Sequence, residues 1–178
     1  MADFLIRETV LNFIECEKVS NDISIIEDPV FVFEGQFRRK NELDHFCHSI
    51  TQLDIQPGQM ADSNGIQLLR FSPFSVYVLL EQSQLAEFSS EHRKNFFDIS
   101  HGKCMLTMQG ESILEIIGDY CSTDIFCSRI SQNQMVKTRF IDYELVIWWH
   151  SIDKVNILVD RSYLQSFVDF FRLLLLRR

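Results

Sequence analysis

The chain of 178 residues has little glycine and little proline, 6 and 3 residues, but it has 16 phenylalanines. Hydrophobic residues make up 46% and charged residues 24%, which is typical of a globular protein and unlike a disordered one. The length suffices for one full domain or for two small half-units that share a core. The phenylalanines fill that core, or some of them face a partner, since aromatic residues are enriched at interfaces.

Basic residues are also in short supply. There are 17 Lys and Arg against 25 Asp and Glu, which gives a net charge of −8. Beyond the short run Arg38-Arg39-Lys40 and the terminal Arg177-Arg178, no basic stripe supplies the phosphate contacts that dominate binding to nucleic acids. We therefore expect no nucleic-acid partner.

No hydrophobic run is long enough to span a bilayer. The most apolar stretch, from Phe167 to Leu176, carries Asp169 and Arg172 and is too short. The N-terminus begins Met1-Ala2-Asp3, without the basic region and apolar run of a signal peptide. The 5 cysteines are an odd number and lack the spacing of a disulfide framework. These observations predict reduced thiols, a cytoplasmic location and no membrane association.

The motifs of common catalytic and cofactor sites are missing as well. The sequence contains no GxGxxG, no GxxxxGK[ST] and no GxSxG, which argues against a dinucleotide site, a P-loop and a serine-hydrolase site. Any of four carboxylates could act as a general base, and their spacing favours none of them: Asp98, Asp119, Asp124 and Asp142. We predict no catalytic residue and no cofactor-binding residue in this chain.

His45, Cys47 and His48 lie close together in the predicted first helix and form the best candidate for a metal site. Zinc needs four ligands in a tetrahedron, and two histidines three residues apart supply one helix face at most. No second pair of ligands with suitable spacing occurs elsewhere, so exposed polar positions explain the cluster better. Cys121 and Cys127 match no redox or zinc motif. We predict no metal site.

The string Phe97-Asp98-Ile99-Ser100-His101-Gly102 contains the residue types of a catalytic triad. Adjacent residues of a strand point to alternate faces, so Asp98, Ser100 and His101 do not converge easily on one atom. The pattern favours an edge strand with a turn, in which Asp, Ser and Gly side chains and backbone serve local hydrogen bonds.

Hydrophobic periodicity predicts the same order of elements twice, after an N-terminal helix over 3–17. The first half has a strand over 29–35, a helix over 41–52 with Asn41 as N-cap, strands over 66–70 and 75–80, and a helix over 84–94. The second half has a strand over 104–108 that ends at Gly110, a helix over 111–121, strands over 135–140, 144–149 and 155–159, and a last helix capped by Ser162.

The repeated order of strand, glycine, helix, strand and strand indicates a weak internal repeat at the level of structure. Antiparallel strands with helices packed on one face predict an α+β fold of two ferredoxin-like half-units. We expect an N-terminal extension over 1–27 and a domain over 28–178, with pseudo-repeats of about 28–94 and 95–178.

Several of these segments resemble the aminomethyltransferase superfamily, which includes the glycine-cleavage T protein. They are the run Phe97 to His101, the strand that ends at Gly110, the following helix and the step Cys121-Ser122-Thr123-Asp124. Pro57-Gly58, the hairpin GIQLLRFSPFSVYVLL, FDISHGK and the closing NILVDRSY also resemble the gamma subunits of heterotetrameric sarcosine oxidases. The likeness runs from residue 28 to residue 176 and implies the folate-binding aminomethyltransferase-like fold.

The resemblance implies a non-catalytic accessory subunit of a flavin-dependent complex. Such a complex oxidatively demethylates sarcosine to glycine and transfers the one-carbon unit to tetrahydrofolate. The implied partners are alpha, beta and delta subunits. These would hold FAD, FMN, NAD, tetrahydrofolate and zinc, and this chain would hold no cofactor.

A folate site is not transferred by the resemblance. The folate-contacting aspartate of the superfamily would fall near Asp142 to Glu144, where the aligned pair is Tyr143-Glu144 and no Gly-Gly hairpin precedes it. A stand-alone folate-binding aminomethyltransferase-like protein is the alternative function, and it requires a pocket beside Glu144 large enough for a pterin. A regulatory binder of the same fold with another partner is a third.

Overall fold

Two antiparallel sheets lie face to face, and helices cover the outer face of each. The computed structural model describes residues 17–20, 23–86, 88, 94–125, 133–151 and 153–176, and for 17–20 it describes the backbone alone. The predicted N-terminal helix over 3–17 lies, but for its last residue, outside these ranges. The predicted α+β class with antiparallel sheets is confirmed.

The first half of the chain contains six strands and one long helix in the described ranges. They are β1 (Glu17–Ser20), β2 (Ile23–Asp28), β3 (Phe31–Gln36), α1 (Lys40–Thr51), β4 (Gln59–Ser63), β5 (Ile66–Arg70) and β6 (Ser75–Leu80), followed by a 3-10 turn over Gln82–Gln84.

The second half repeats this order and adds a C-terminal helix. Its elements are β7 (Phe96–Asp98), a 3-10 turn over Ser100–Gly102, β8 (Lys103–Gln109), α2 (Ile113–Tyr120), β9 (Met135–Phe140), β10 (Tyr143–Ser151), β11 (Lys154–Asp160), a 3-10 turn over Arg161–Tyr163 and α3 (Leu164–Leu176).

The two sheets have the same internal strand order. One sheet runs β4-β5-β6-β3-β7, and the other runs β9-β10-β11-β8-β2-β1. Four successive strands of each half, with a helix after the first, therefore build equivalent sheets. This arrangement is the internal repeat that the order of predicted elements indicates.

The halves exchange one strand each. β2 directly precedes β3 in the chain, yet it pairs with β8 of the other sheet. In the same way β7 precedes β8, yet it pairs with β3. Neither half is therefore complete by itself. The sheet that contains β3 needs β7, which directly precedes β8 in the chain, and the sheet that contains β8 needs β2, which directly precedes β3.

Alternate residues of each strand face opposite layers. In β10, Leu145 and Ile147 pack against α2 and α3, whereas Val146 and Trp148 pack between the sheets. In β6, Val76 and Val78 face α1, and Leu79 faces the other sheet. Three apolar layers follow, one under each set of helices and one between the sheets, and most of the phenylalanines lie in the two helix-covered layers.

The edges of the two sheets touch at one point. The Met60 N–H donates to the Asn133 carbonyl at 2.8 Å, and the Met135 N–H donates to the Gly58 carbonyl at 3.0 Å. These reciprocal bonds join the start of β4 to the start of β9, the equivalent strand of the other half. The join closes one side of the space between the sheets.

Several predicted details differ from the structure. The strands β1, β2 and β4 have no counterpart in the sequence-based prediction, and β1 and β2 lie in the segment assigned to an N-terminal extension. Asn41 is not the N-cap of α1, because the helix already begins at Lys40 with Arg39 in the capping position. Ser162 is not the N-cap of α3, since it lies inside a 3-10 turn that begins at Arg161.

Candidate functional site

The space between the sheets opens to the surface at two clefts, which we call the large cleft and the small cleft. The large cleft has a volume of about 620 Å³ and lies where β2 leads into β3 and β10 leads into β11. The small cleft measures about 170 Å³ and lies beside the first residues of β8 and β10. Small-molecule sites usually occupy roughly 300–1,000 Å³, so only the large cleft falls in that range.

Three polar side chains from neighbouring strands form one wall of the large cleft. The Thr107 hydroxyl donates to the Asp28 carboxylate and lies 3.0 Å from the amide oxygen Oδ1 of Asn156. Thr107 is paired with Ile26 on one side and with Asn156 on the other. The three side chains thus form a connected network across β2, β8 and β11.

Asn156 is 3% exposed, and its only side-chain hydrogen bond to the described part of the chain is the contact with Thr107. Whichever way the amide is turned, one of its two ends lacks a partner among the residues that the structure describes. Asp28 likewise has no second partner in the described ranges. Asn156 lines the cleft, and neither end of its amide is both fully buried and unpartnered, so the free end can be satisfied there by water or by a ligand.

The remaining polar groups of the large cleft come from both sheets. Gln67 donates through Nε2 to Asp62 at 3.1 Å, and its oxygen Oε1 is buried without a partner in the described ranges. Lys154, which is paired with Ser151, and His150 both line the cleft, and Lys154 forms no ion pair within the described part of the chain. Acceptors and a cation therefore line the same space.

The small cleft contains the residue beside which a folate site was considered. Glu144 lines it together with Tyr77, Lys103 and Glu34, and Glu144 lies 3.8 Å from the ammonium of Lys137. Burial raises the pKa of Tyr77, and the charges of Glu34, Asp160 and Glu144 act in the same direction. Lys103 is held by Asp160. The small cleft is an ion-paired opening rather than a spacious pocket.

The residues of the triad-like string are kept apart, as their alternation predicts. Ser100 is buried and its hydroxyl accepts a hydrogen bond from the Val32 N–H at 2.8 Å. Asp98 accepts from the Ser100 N–H at 2.9 Å, and His101 is exposed. β7 is an edge strand, so the predicted edge strand with a turn is confirmed.

His45, Cys47 and His48 do not converge either. The two histidines are exposed on α1, and His48 lies 3.4 Å from Asp54, whereas Cys47 is buried on the opposite side of the helix. Burial raises the pKa of the Cys47 thiol to about 11. Within the described ranges no three His, Cys, Asp or Glu side chains are placed to hold a metal.

The other singled-out residues are scattered. Cys121 is half-buried, and burial raises the pKa of its thiol to about 11. Cys127 lies outside the described residues. The four carboxylates named as conceivable bases are all exposed: Asp98, Asp119, Asp124 and Asp142.

Sequence reasoning missed the network of Asp28, Thr107 and Asn156. A signal was present, because Thr107 and Asn156 are single polar residues inside otherwise apolar strands, CMLTM and VNILV. What periodicity does not give is that β2, β8 and β11 are neighbours, which puts the three side chains together. No helix in the described part of the chain is long and apolar enough to cross a membrane.

Comparison with solved structures relates this fold to two enzymes. A chain of heterotetrameric sarcosine oxidase from Corynebacterium sp. U-96, in complex with pyrrole 2-carboxylate, superposes with a TM-score of 0.70 at 14% identity. The match covers 84% of this chain and 82% of that one. Aminomethyltransferase T of the glycine cleavage system from Bartonella henselae superposes with a TM-score of 0.61 at 9% identity, over 83% of this chain and 45% of that one.

The chain therefore has the two-sheet α+β fold shared by these enzymes, and the resemblance seen in the sequence is confirmed at the level of fold. It spans less than half of the aminomethyltransferase. The sarcosine oxidase chain is of nearly the same length as this one, because the match covers nearly the same share of both. No protein-family model matches the sequence, and no curated protein matches it.

Proposed function

We propose that this protein is the accessory, gamma-type subunit of a heterotetrameric flavin-dependent sarcosine oxidase. In this proposal its partners are alpha, beta and delta subunits, and the complex is cytoplasmic. FAD, FMN, NAD, tetrahydrofolate and zinc are held by those other subunits. The complex converts sarcosine to glycine with transfer of the one-carbon unit to tetrahydrofolate.

The observation that carries the proposal is the match in length and fold to one chain of a heterotetrameric enzyme. The alignment extends over 84% of this chain and 82% of that chain. The aminomethyltransferase, by contrast, has more than half of its length outside the match. The module described here matches most of one chain of a heterotetrameric enzyme but less than half of the aminomethyltransferase, which supports the role of a subunit.

An exposed aromatic patch supports a role in assembly. The rings of Tyr143 and Tyr163 have centroids 6.1 Å apart, and those of Tyr143 and Phe170 are 6.4 Å apart. Tyr163 is 51% exposed, and Leu173, one helical turn after Phe170, is 53% exposed. Tyr143 and Phe170 are half-buried beside the two exposed side chains, and aromatic and aliphatic residues gathered at the surface are typical of a protein interface.

Co-expression tests the proposal. The chain, tagged at its C-terminus, is produced together with the flavoprotein genes that neighbour its own gene and is then purified through the tag. We expect a yellow complex that forms hydrogen peroxide when sarcosine is added. The double substitution Tyr163→Ser and Leu173→Ser should reduce recovery of the partners, whereas Phe74→Ser, at a residue 49% exposed on the other sheet, should not.

A stand-alone folate-binding protein is the second candidate, and the volume of the large cleft favours it. Glu144 lines the small cleft of about 170 Å³ and an open surface depression of about 300 Å³ beside Ser122 and Thr138, whereas the large cleft of about 620 Å³ offers more room for a pterin. A colourless, monodisperse chain that recruits no flavoprotein and binds tetrahydrofolate by itself would favour this function over the first.

A further inference from the structure

The large cleft combines unsatisfied acceptors with an unpaired cation, and this combination points to a ligand class. Asp28 offers a carboxylate with one partner, and Gln67 offers a buried oxygen with none in the described ranges. Lys154 offers an ammonium without an ion pair in the same ranges, and Asn156 offers one end of a buried amide. A ligand that satisfies all of these groups must carry both donors and an anionic group.

We propose that the large cleft binds an extended zwitterion, with a protonated amine against the Asp28 carboxylate and a carboxylate against the Lys154 ammonium. Short peptides and linear ω-amino acids belong to this class. The site is distinct from the subunit contacts of the proposed function and does not depend on them.

The register of the strands gives the length of the ligand. Asp28 is paired with Met105 and Lys154 with Gln109, four residues farther along β8. At about 3.4 Å per residue and about 4.8 Å between strands, the two backbone positions lie roughly 17 Å apart. The aliphatic part of the lysine side chain covers some of this distance. A compact α-amino acid is still too short to reach both charged groups and would leave one of them unmatched. An extended molecule matches both.

The middle of the ligand would pass over Asn156. This residue lies between the two charged groups along the wall, in the row formed with Ile26 and Thr107. Its free amide end suits a peptide group, which has a donor and an acceptor of its own. Buried apolar neighbours, Val30, Leu79 and Met105, line the cleft beside it and suit the methylene or Cα groups of such a chain.

The position of Asp28 is fixed before any ligand arrives. Its carboxylate accepts from Thr107, which is in turn placed by Asn156, and all three sit on paired strands of one sheet. A held charge loses little freedom on binding, so it recognises an ammonium better than a mobile surface carboxylate does. Hydrogen bonds to a charged group contribute more to affinity than neutral ones.

Titration calorimetry on the full chain tests the proposal with defined probes. 5-Aminovalerate and diglycine carry both charged groups, pentylamine lacks the carboxylate, and valerate lacks the ammonium. We expect both zwitterions to bind more tightly than either single-charge analogue. Loss of one charge-assisted hydrogen bond corresponds to about a 10- to 100-fold weaker affinity.

Three substitutions assign the binding to the cleft. Asp28→Asn keeps an acceptor for Thr107 but removes the charge, so it should weaken zwitterions and pentylamine about equally. Lys154→Met should weaken zwitterions and leave pentylamine unchanged. Asn156→Leu should abolish binding, because it removes the amide over which the middle of the ligand would pass, and circular dichroism checks that the variant is folded. Glu144→Gln, in the small cleft, is the matched control and should change nothing.

Three outcomes would overturn the proposal. One is that no probe binds at millimolar concentration to a chain that is folded by circular dichroism. Another is that binding is unaffected by both Asp28→Asn and Lys154→Met. The third is that none of the zwitterions binds, whereas tetrahydrofolate binds in the large cleft and its binding is lost with Asp28→Asn. None of these outcomes bears on recovery of a flavoprotein complex, so the two proposals fail separately.

Discussion

The hydroxyl of Ser100 lies 2.8 Å from the backbone nitrogen of Val32, and it accepts that N–H as a hydrogen bond. The two residues are 68 positions apart, and the contact ties the turn before β8 to the first strand of the other half. Ile99 adds a backbone bond, since its N–H donates to the Val32 carbonyl at 2.9 Å. This is the point at which the exchanged strand β7 leaves one sheet and the chain enters the other.

Ser100→Ala should therefore destabilise the fold by about 1–3 kcal/mol, because it leaves the buried Val32 N–H without a partner. Urea unfolding followed by circular dichroism measures the change. Ser166→Ala removes an exposed serine that bonds only to a helix carbonyl and should cost less than about 0.5 kcal/mol. Equal effects of the two substitutions would contradict a structural role for Ser100.

Arg70 is the second structural residue that tests the fold. It is 1% exposed and donates to the carbonyls of Ile55, Ser72 and Pro73, at 2.6, 3.3 and 3.4 Å. Asp44 of α1 lies 2.6 Å from the same guanidinium. One buried cation thus holds two loops and a helix together.

Arg70→Met should lower the free energy of unfolding by about 3–5 kcal/mol, because it leaves without a partner the three carbonyls and the carboxylate that the cation now satisfies. Asp44→Asn should cost about 1 kcal/mol or less, because the Asp44 side chain is 43% exposed and water can replace it. Both are read from the midpoint of urea unfolding. A larger loss for Asp44→Asn than for Arg70→Met would show that the ion pair, not the backbone bonds, dominates.

Gly35 is kept free of a side chain by an aromatic ring. A Cβ built at Gly35 would clash with Cε1 of Phe96, whose ring packs against Phe37, Phe46 and Phe88. Gly35→Ala should destabilise by about 1–3 kcal/mol through overpacking. Gly102→Ala meets nothing within 4 Å and should change stability by less than about 0.5 kcal/mol.

A double mutant separates the clash from other effects at Gly35. If the ring of Phe96 is the obstacle, Gly35→Ala combined with Phe96→Leu should be less destabilising than the sum of the two single substitutions. Additive losses would mean that the backbone conformation at Gly35, rather than the ring, accounts for the cost.

Two thiols make stability depend on pH. Burial raises the pKa of Cys47 and of Cys121 from 9.0 to about 11, so the folded state favours the protonated thiols. Their contribution is complete below pH 9, where the unfolded thiol is also protonated, and is lost as the pH rises from 9 through 11. For Cys47, which is 1% exposed, the loss is on the order of 2 kcal/mol, and for half-buried Cys121 it is smaller, because water screens the thiolate charge.

The measurement is the free energy of unfolding at several values between pH 8 and pH 11, for the natural sequence and for Cys47→Ala. We expect the difference between the two proteins to shrink as the pH rises, because only the natural sequence loses the Cys47 contribution. A difference that stays constant over this range would contradict the raised pKa. Lysine and tyrosine titrate in both proteins and cancel in the comparison.

Local patterns in the sequence were sufficient to predict most of the helices and strands. The strands over 66–70, 75–80 and 135–140 agree with β5, β6 and β9, because apolar and β-branched residues alternate there between turn signals. The strand β4, Gln59–Ser63, was missed because its sequence QMADS is polar and lies between two turns. Its pairing with β5 and its contact with β9 make it a strand, and neither partner is visible locally.

The helix ends were predicted less well than the helices. Asn41 and Ser162 are good capping residues in isolation, but neither occupies the capping position. In both cases the helical turn begins before the predicted capping residue. The preceding segment ends there, and the helix must pack back over its own sheet. Packing of Leu43 and Phe46, or of Leu164 and Phe167, fixes the start of each helix instead.

The sequence by itself determined the composition of the core, the order of the elements other than β1, β2 and β4, the repeat of that order and the separation of Asp98, Ser100 and His101 by strand alternation. Only the tertiary structure decided that the two halves exchange β2 and β7, that their sheets stack face to face, and that Asp28, Thr107 and Asn156 meet. The physical reason is that periodicity records which face of a strand is buried, whereas pairing between strands far apart in the chain is fixed by the shape and hydrogen bonding of the whole sheet.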